Sequence, residues 1–580
     1  MVRQLVKCIR EYKKATILTL VFIIGEAVIE IFIPYITANL VNDIKDNVPM
    51  SEVVYSGIFL AVMALLSLCF GGAAGFTSAK AAAGFAKNLR NDVFAKIQTF
   101  TFGNIDKFSS SSLVTRLTTD VSNVQMSYMM IIRIAVRAPI MLVFAIVMAY
   151  IMAGKLAATF VVVVPLLAVG LIIIARKAMP AFRSVFRKYD KLNESIEENV
   201  RAMRVVKGFS REEHEKKKFS SAADNIRKDF TKAERIVALN TPLMQFCIYF
   251  NMAFVLIVGS SMIISGKGSD IDVGQISAML TYGMQILISL MMLSMIFVII
   301  TISAESAKRV CEVLSEEPAL HNPDEPLMKV ADGSIDFDGV SFKYSEAAEK
   351  YALADIDLHI RSGMTVGVIG GTGSSKSTLV QLIPRLYDVT AGCVKVGGVD
   401  VRSYDIETLR NSVAMVLQKN LLFAGTIAEN LRWGDKNATD EELKAVCKIA
   451  QADEFIRQFP EGYNTKIEQG GTNVSGGQKQ RLCIARAMLK KPKILILDDS
   501  TSAVDTKTDA HIRQGFRDYI PETTKIIIAQ RISSVQDADL IVVMDNGMIS
   551  AQGTHEQLLE TSSIYREVYE QQTNGGESDE

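Results

Sequence analysis

Three features are missing from this sequence, and each absence excludes a class of function. The chain has 63 basic and 63 acidic residues, so it lacks the basic excess that a nucleic-acid partner would require. Its seven cysteines form no CxxC pair and show no metal-ligand spacing, which favours free, reduced packing residues. There is no cleavable signal pattern, because the first apolar stretch is about twice the length of a signal-peptide core. We expect that stretch to be a retained membrane anchor.

Six apolar stretches in the first half of the chain predict membrane-spanning helices. Apolar residues make up 49% of the 580 residues, which is high for a purely soluble protein, and the chain is too long for one core. Each stretch can cross about 30 Å of hydrocarbon; they lie near 16–41, 54–78, 128–152, 156–176, 239–265 and 274–302. The two long connections are rich in Lys and Arg, so the positive-inside rule predicts that they and both termini are cytoplasmic.

The long connections, near 79–127 and 177–238, are predicted to be helices that continue out of the bilayer. They contain few helix breakers, and they are too long to be structureless loops. Their tips, near Ser111–Thr118 and Asn199–Phe209, are expected to contact a cytoplasmic domain. Ordinary solvated helical hairpins would show the same pattern.

Charged residues within two spans allow two interpretations. Glu26 and Glu30 share one face of the first span, and Arg133 and Arg137 share one face of the third. Because charges in lipid are costly unless paired or hydrated, they form either an interhelical ion-pair patch or the wall of a cavity for cationic cargo. The methionines of the last span fit an adaptable ligand surface or lipid-facing packing; they are Met279, Met284, Met291, Met292 and Met295.

From Gly333 onward, short β-branched strands alternate with polar helices, which predicts an α/β sheet domain. The predicted strand Thr365–Ile369 leads into a glycine-rich loop and a helix, a context typical of phosphate-binding loops; the loop comprises Gly370, Gly371, Thr372, Gly373, Ser374, Ser375, Lys376, Ser377 and Thr378. Backbone N–H groups there would cradle phosphates, Lys376 would reach the β and γ groups, and Ser377 would bind Mg²⁺. Ser375 replaces the usual second glycine, which would distort the loop if that position needs a positive φ.

A second nucleotide-binding element lies further along the chain. The predicted strand Ile494–Leu497 ends in Asp498, which is placed to hold Mg²⁺ through water. Together with the phosphate loop, Gln418, the run Val474–Gln478 and the turn 502–505, this strand resembles the nucleotide-binding domain of ATP-binding cassette transporters. With six preceding spans, the whole chain resembles an exporter half-transporter of the multidrug type.

The resemblance implies an architecture and a set of binding residues. The expected fold is an all-α six-helix transmembrane bundle with cytoplasmic extensions at 1–310, a linker at 311–332, and an α/β P-loop domain at 333–580. Tyr344 would stack on adenine, and Gln418 would contact Mg²⁺ and relay the nucleotide state to the membrane helices. The residues expected to bind ATP held by the opposite subunit are Ser475, Gly476, Gly477 and Gln478, and Asp505 is expected to contribute to nucleotide binding. A complete site for ATP and Mg²⁺ therefore needs a second chain.

Two departures from the family pattern predict weakened hydrolysis. Asp499 stands where the family has a catalytic glutamate, and its side chain is one methylene shorter. General-base catalysis is worth about 10²–10⁴-fold, so its loss would leave a slow site. Gln530 replaces the family's switch histidine and cannot become cationic. Both changes beside an intact Ser475–Gln478 run suggest the degenerate-site subunit of a heterodimer.

The favoured hypothesis is a subunit of an ATP-driven exporter that moves amphipathic compounds, drugs or lipids, out of the cytoplasm. We expect a multi-pass protein of a bacterial cell membrane, with the lipid bilayer, a second half-transporter chain and an amphipathic small molecule as partners, and no nucleic acid. Two alternatives stay open: a self-sufficient homodimer with slow ATPase, and an ATP-gated channel or regulator. The ATPase rate of the chain purified alone would test the homodimer, and electrical recording would test the channel.

Overall fold

The N-terminal part of the chain folds into long helices because its apolar stretches run into charged helical segments with few breakers. The computed structural model describes residues 1–266, 271–346, 348–500 and 505–574. The first of two units contains Met1–Thr99 and Ser109–Glu316. Its helices are α1 (Val2–Lys7), α2 (Lys13–Lys45), α3 (Met50–Gln98), α5 (Ser110–Thr115), α6 (Val121–Ala153), α7 (Thr159–Arg201), α8 (Met203–Gly208), α9 (Glu212–Val237), α10 (Asn240–Gly266) and α11 (Val273–Ser315); α4 (Phe102–Phe108) belongs to the second unit.

The predicted six spans are confirmed. Among the described residues, six helical segments are long and apolar enough to cross a membrane. The long connections are helical, as predicted: α3 continues to Gln98, and α7 continues to Arg201 before α9 returns along it. Within the described chain, these segments therefore continue the helices of the spans and are not loops.

The last membrane helix is fastened to the first and third at three levels. At its start, the Gly274 amide donates to Asn42 Oδ1 over 2.9 Å. Midway, the buried Tyr282 hydroxyl donates to the carbonyl of Ile31 over 2.8 Å. Near its end, Arg309 donates to the fully buried Asp120 of the π-helical turn Arg116–Asp120. Buried polar groups that are satisfied in this way fix the relative position of the three helices.

The charges inside the spans form an ion-pair cluster that also borders a cavity. Arg137 lies 3.2 Å from Glu26 and 2.6 Å from Glu30, whereas Arg133 is exposed. The adjoining cavity of about 340 Å³ is lined by both polar and apolar residues; they include Glu30, Pro34, Arg137, Met141, Thr281, Gln285, Ile288 and Met292. The ion-pair interpretation is therefore confirmed for Arg137, and the cargo-cavity interpretation stays a prediction. Of the last-span methionines, Met279 is buried, Met284 and Met295 are exposed, and Met292 lines the cavity.

Replacing Arg137 with leucine is expected to destabilise the membrane unit, because Glu26 and Glu30 would lose the cation that both contact. The expected loss is up to about 3 kcal/mol, the lower end of the range for buried pairs, since all three side chains are only half-buried. The matched control is Arg133→Leu, one helical turn away and exposed. Thermal melting of the full-length chain in lipid nanodiscs should show a loss for Arg137→Leu alone, and equal losses would contradict the assignment.

The segment that folds with the nucleotide domain is Phe100–Phe108, not the predicted tip at 111–118. Tyr387 donates its hydroxyl to Asp106 over 2.7 Å, and its ring meets Phe102 edge-on at 6.0 Å. The predicted tip at 111–118 lies in the first unit, where Arg116 is paired with Glu312. The predicted tip lies about ten residues after the segment that belongs to the nucleotide unit. The prediction could not separate the two segments because their charge and helical pattern are alike.

The second unit is Phe100–Phe108 and Glu317–Glu580, and its described residues form three sheets. The six-stranded sheet has the order β12-β11-β3-β10-β9-β6, and all its neighbours are parallel except β11 and β12. A four-stranded antiparallel sheet has the order β2-β1-β4-β5, and β7 pairs with β8. The strands are β1 (Ile335–Phe342), β2 (Leu353–Ile360), β3 (Thr365–Gly370), β4 (Ala391–Val396), β5 (Val399–Asp400), β6 (Val413–Val416), β7 (Gly425–Thr426), β8 (Lys466–Ile467), β9 (Ile494–Asp498), β10 (Thr524–Ile528), β11 (Leu540–Asp545) and β12 (Met548–Gly553).

Alternating side chains of the six-stranded sheet enter two separate cores. Ile494 and Ile496 of β9 pack with the antiparallel sheet, whereas Leu495 and Leu497 pack with helices on the other face. Burial on both faces is the usual state of parallel strands, which read as continuous apolar runs. The helices of this unit besides α4 are α12 (Lys376–Leu382), α13 (Ile406–Ser412), α14 (Ile427–Leu431), α15 (Asp440–Ile449), α16 (Asp453–Gln458), α17 (Gly476–Leu489), α18 (Thr506–Tyr519), α19 (His555–Thr561) and α20 (Ser563–Asn574).

Candidate functional site

The carboxyl ends of four parallel strands meet at one edge of the six-stranded sheet. In the order β3-β10-β9-β6, these strands end at Gly370, Ile528, Asp498 and Val416. Ligands of open α/β sheets bind outside the carboxyl ends of the strands. The loop after each strand therefore delivers its polar residues to a single cleft.

The glycine-rich loop after β3 surrounds the amine of Lys376. Lys376 Nζ donates to the carbonyls of Gly370 and Gly371, each over 2.8 Å, and lies 3.3 Å from Ser374 Oγ. Burial lowers the pKa of Lys376, and Asp498 and Asp499 partly oppose this effect. The loop thus holds a cation among backbone dipoles beside the start of α12, an arrangement that suits an incoming anion.

Ser375 adopts a left-handed backbone with φ of 70°. This position therefore has the positive φ for which the sequence predicted that a serine in place of glycine would distort the loop. A non-glycine residue in this region carries a steric cost of about 1–2 kcal/mol. Ser375 borders the cleft together with Lys376, so this cost lies within the loop that surrounds the lysine.

Oxygen ligands for a divalent cation lie where β9 ends. Ser377 Oγ donates to Asp498 Oδ1 over 2.9 Å, and Asp498 is buried. Burial raises the pKa of Asp498, and the neighbouring Asp499 raises it further, whereas Ser377 and Lys376 lower it. Among the described residues, no group of three or more His, Cys, Asp or Glu could hold a metal by itself. These few hard oxygens fit Mg²⁺, which usually takes one or two protein oxygens together with phosphate and water.

Asp499 connects the ends of three strands through its carboxylate. Gln530 Nε2 donates to Asp499 Oδ2 over 2.8 Å, and Gln418 Nε2 approaches the same oxygen at 3.5 Å. Asp499 has a positive φ of 47°, which aspartate tolerates better than most residues. Asp499 and Gln530, the two substitutions expected to weaken hydrolysis, are therefore direct partners of each other.

A cavity of about 510 Å³ occupies this cleft. It is lined by most of the predicted nucleotide-site residues; they are Gly370, Gly371, Thr372, Gly373, Ser375, Lys376, Ser377, Thr378, Gln418, Asp498, Asp499 and Gln530, with Ile369, Ile528 and Val568. Ser374, which belongs to the same loop, is buried and is not among the residues that line the cavity. Val568 comes from α20, and sequence reasoning missed it because one apolar residue in a C-terminal helix carries no functional signal.

Several predicted residues lie outside this cavity. Tyr344 is 54% exposed beside α12, where its hydroxyl lies 2.9 Å from Thr378 Oγ1. Ser475 caps α17 in a reciprocal capping box with Gln478, and both Ser475 and Gly476 are exposed. Asp505 caps α18 by accepting from the Thr508 amide, which lowers the pKa of Asp505. The rest of the predicted turn, 502–504, lies outside the described residues.

Comparison with known proteins identifies the family. The sequence model of the ABC transporter transmembrane region matches residues 16–304, and that of the ABC transporter matches residues 353–502. The chain is 34% identical to the uncharacterized ABC transporter ATP-binding protein YfiB of Bacillus subtilis, over 97% of each chain. The chain belongs to the ABC transporter family. ABC transporter ATP-binding domains hydrolyse ATP, and they couple this reaction to transport.

One further relative and one solved structure are similar to this ABC transporter chain. It is 32% identical to the fatty acid ABC transporter ATP-binding/permease protein of Mycobacterium bovis, over 83% of this chain and 75% of the relative. Its fold matches that of a bacterial Atm1-family ABC exporter with ATP bound, with a TM-score of 0.83 and 23% identity over 97% and 98% of the two chains. These matches confirm the predicted order of a six-helix membrane domain and an α/β nucleotide-binding domain, and ABC exporters act as dimers in the membrane.

Ser375→Gly is expected to stabilise the nucleotide-free ABC chain relative to Ser375→Ala by about 1 kcal/mol, because only glycine relieves the left-handed backbone. The alanine variant is the matched control, since it also removes the hydroxyl but keeps the Cβ atom. Melting temperatures of the two full-length variants provide the measurement. Equal melting temperatures would show that the loop carries no strain at this position.

Proposed function

We propose that this chain is the weakly hydrolysing subunit of a heterodimeric ATP-driven exporter of amphipathic compounds. The observation that carries the proposal is the hydrogen bond between Asp499 and Gln530 in the cleft beside Lys376. One partner is a shortened acid and the other is a side chain that does not titrate. The cleft retains the groups needed to bind ATP, whereas the groups needed to hydrolyse it are altered.

The shortened acid limits general-base catalysis. A general base must lie within hydrogen-bond reach of the proton that it removes, about 2.6–3.2 Å. Asp499 extends one methylene less than the glutamate of the family pattern, and its Oδ2 atom accepts from Gln530 and approaches Gln418. These amides hold the carboxylate close to the backbone, and the shorter side chain extends less far toward an attacking water. We therefore assign this site to nucleotide retention with slow turnover.

Gln530 supports binding more than reaction. Its amide can donate to a terminal phosphate, as it donates to Asp499 here, but it cannot become a cation that stabilises developing negative charge. Lys376 remains the cation of the cleft. A site with these two groups is suited to holding ATP for a long time.

We assign the remaining predicted residues to the same site. Gly370, Thr372, Gly373, Ser374, Ser375, Lys376 and Thr378 would hold the phosphates, and Tyr344 the adenine. Ser377, Asp498 and Gln418 would hold Mg²⁺, which neutralises phosphate charge when it is bound. Ser377 and Asp498 support this assignment, since their oxygens already lie 2.9 Å apart.

The exposed start of α17 is proposed to complete the site of a second chain. Ser475 and Gly476 face solvent at the N-terminus of a 14-residue helix, where backbone N–H groups and the helix dipole favour an anion. Gln478 fixes the turn by accepting from the Ser475 amide over 2.9 Å, and Asp505 would lie at the same dimer interface. In a heterodimer, this surface would face the ATP held by a partner with an intact catalytic glutamate.

Transport would then follow from a shift between an open state and one closed state of the dimer. ATP binding would favour the state in which the two nucleotide domains meet, because each ATP would contact both chains only there. Hydrolysis at the partner's site would remove that preference and reset the membrane helices. A ligand shifts such an equilibrium only by its difference in affinity between the two states.

The cargo is proposed to be amphipathic and to leave the cytoplasm. The cavity beside Glu30 and Arg137 has polar and apolar walls, and one relative is named as a fatty acid transporter. We place both termini and the long helical connections in the cytoplasm of a bacterial cell because the connections are rich in Lys and Arg.

The chain purified without a companion is expected to bind ATP but to hydrolyse it slowly, and Asp499→Glu should increase hydrolysis by about 10²-fold or more. The matched control is Asp499→Asn, which should change the slow rate little. Steady-state phosphate release in nanodiscs gives the measurement. Fast hydrolysis by the unmodified chain that Asp499→Asn abolishes would instead identify a self-sufficient homodimer. Sustained ion current with bound ATP would favour a channel.

In the assembled complex, Ser475→Arg is expected to abolish turnover, whereas Lys376→Ala should only slow it or change nucleotide retention. The reason is that Ser475 would act at the hydrolysing site, and Lys376 at the retaining one. ATPase rates of complexes purified from native membranes would test this division. Equal losses from the two substitutions would refute it.

A further inference from the structure

The C-terminal helix α20 reaches the loop that carries Gln530. Gln572 Oε1 accepts from the Ile532 amide over 2.8 Å, and Gln572 Nε2 donates to the Gln530 carbonyl, also over 2.8 Å. One side-chain amide thus bridges both ends of a three-residue segment. Such a bridge fixes the backbone from which the Gln530 side chain extends toward Asp499.

The helix that carries Gln572 is itself anchored in the core. Tyr565 is fully buried, and its hydroxyl lies 2.7 Å from His555 Nδ1 of α19. Val568, three residues later, lines the nucleotide cleft. Gln572 follows Val568 by four residues and therefore lies on the same face of α20. This face connects the end of the chain to the cleft.

We propose that Gln572 is a positioning residue that holds the loop Gln530–Ile532 so that Gln530 stays on Asp499, and that it thereby sets how long nucleotide is retained. The proposal rests on the assignment of Gln530 to the nucleotide site made above. It adds a control by the C-terminal helix that acts through the backbone, without contact between Gln572 and the nucleotide.

A purely structural role makes a different prediction. If Gln572 only fastened α20 to the domain, its removal would lower thermal stability, and its effect on retention would add to that of a change at Gln530. If it acts through Gln530, the two effects cannot add, because the second change removes the group that the first one positions. A double-mutant cycle separates the two roles.

The test uses the full-length protein purified from its host membrane with any companion chain that it carries. Complexes loaded with radiolabelled ATP are chased with unlabelled ATP, and the slow release phase is assigned to this chain by its loss in Lys376→Ala. The variants are Gln572→Ala, Gln530→Ala, the double variant, and Gln572→Glu, which keeps the acceptor but loses the donor. Gln571→Ala is the matched control, since among the described residues Gln571 donates within its own helix, to Glu567.

We expect Gln572→Ala to speed the slow release about tenfold, as the loss of two ordinary hydrogen bonds implies. Gln572→Glu should have an intermediate effect, Gln571→Ala none, and the double variant should match Gln530→Ala. An additive double variant, or a fall in melting temperature with unchanged release, would overturn the proposal. If Gln530→Ala changes the slow release rate but Gln572→Ala does not, this inference alone is refuted. If Gln530→Ala leaves the slow release rate unchanged, the assigned role of Gln530 is refuted as well.

Discussion

The parallel pairing of β3, β10, β9 and β6 is the constraint on which the nucleotide unit depends. Because their carboxyl ends share one edge, residues more than a hundred positions apart, such as Lys376 and Asp499, meet in one cleft. The same register buries alternating apolar residues on both faces, so a slip by one residue would exchange the two cores. Packing and chemistry are therefore fixed by one set of backbone hydrogen bonds.

In the membrane unit, side-chain contacts and not strand pairing hold the elements together. Without water in the hydrocarbon, polar groups must find protein partners, and Arg137 meets this need for two glutamates at once. The hydroxyl of Tyr282 and the amide of Asn42 do the same for backbone groups of neighbouring helices. The Arg137 pairs join α6 to α2, and the contacts of Tyr282 and Asn42 join α11 to α2. Along the chain, α11 is followed by the nucleotide unit.

The sequence alone predicted the six spans, the helical connections and most of the cleft, because these follow from length, composition and local motifs. The pairing of Arg137, rather than Arg133, with the glutamates could not be read from spacing, since both lie on one face of the same helix. The bridge made by Gln572 could not be predicted either, because it joins segments 40 residues apart through backbone atoms that have no sequence signature. The segment Phe100–Phe108 is a further example. Tertiary contacts, which leave no pattern in the sequence, determine that this segment belongs to the nucleotide unit.

The docking of Phe100–Phe108 has a consequence for synthesis on the ribosome. This segment emerges long before Tyr387, its partner, which follows about 280 residues later. At about 5–20 residues per second, the interval is on the order of tens of seconds. Throughout that time the ring of Phe102 lacks its aromatic neighbour while the later spans are still entering the membrane. Until the second half of the chain is made, this segment therefore lacks the partner that it has in the folded nucleotide unit.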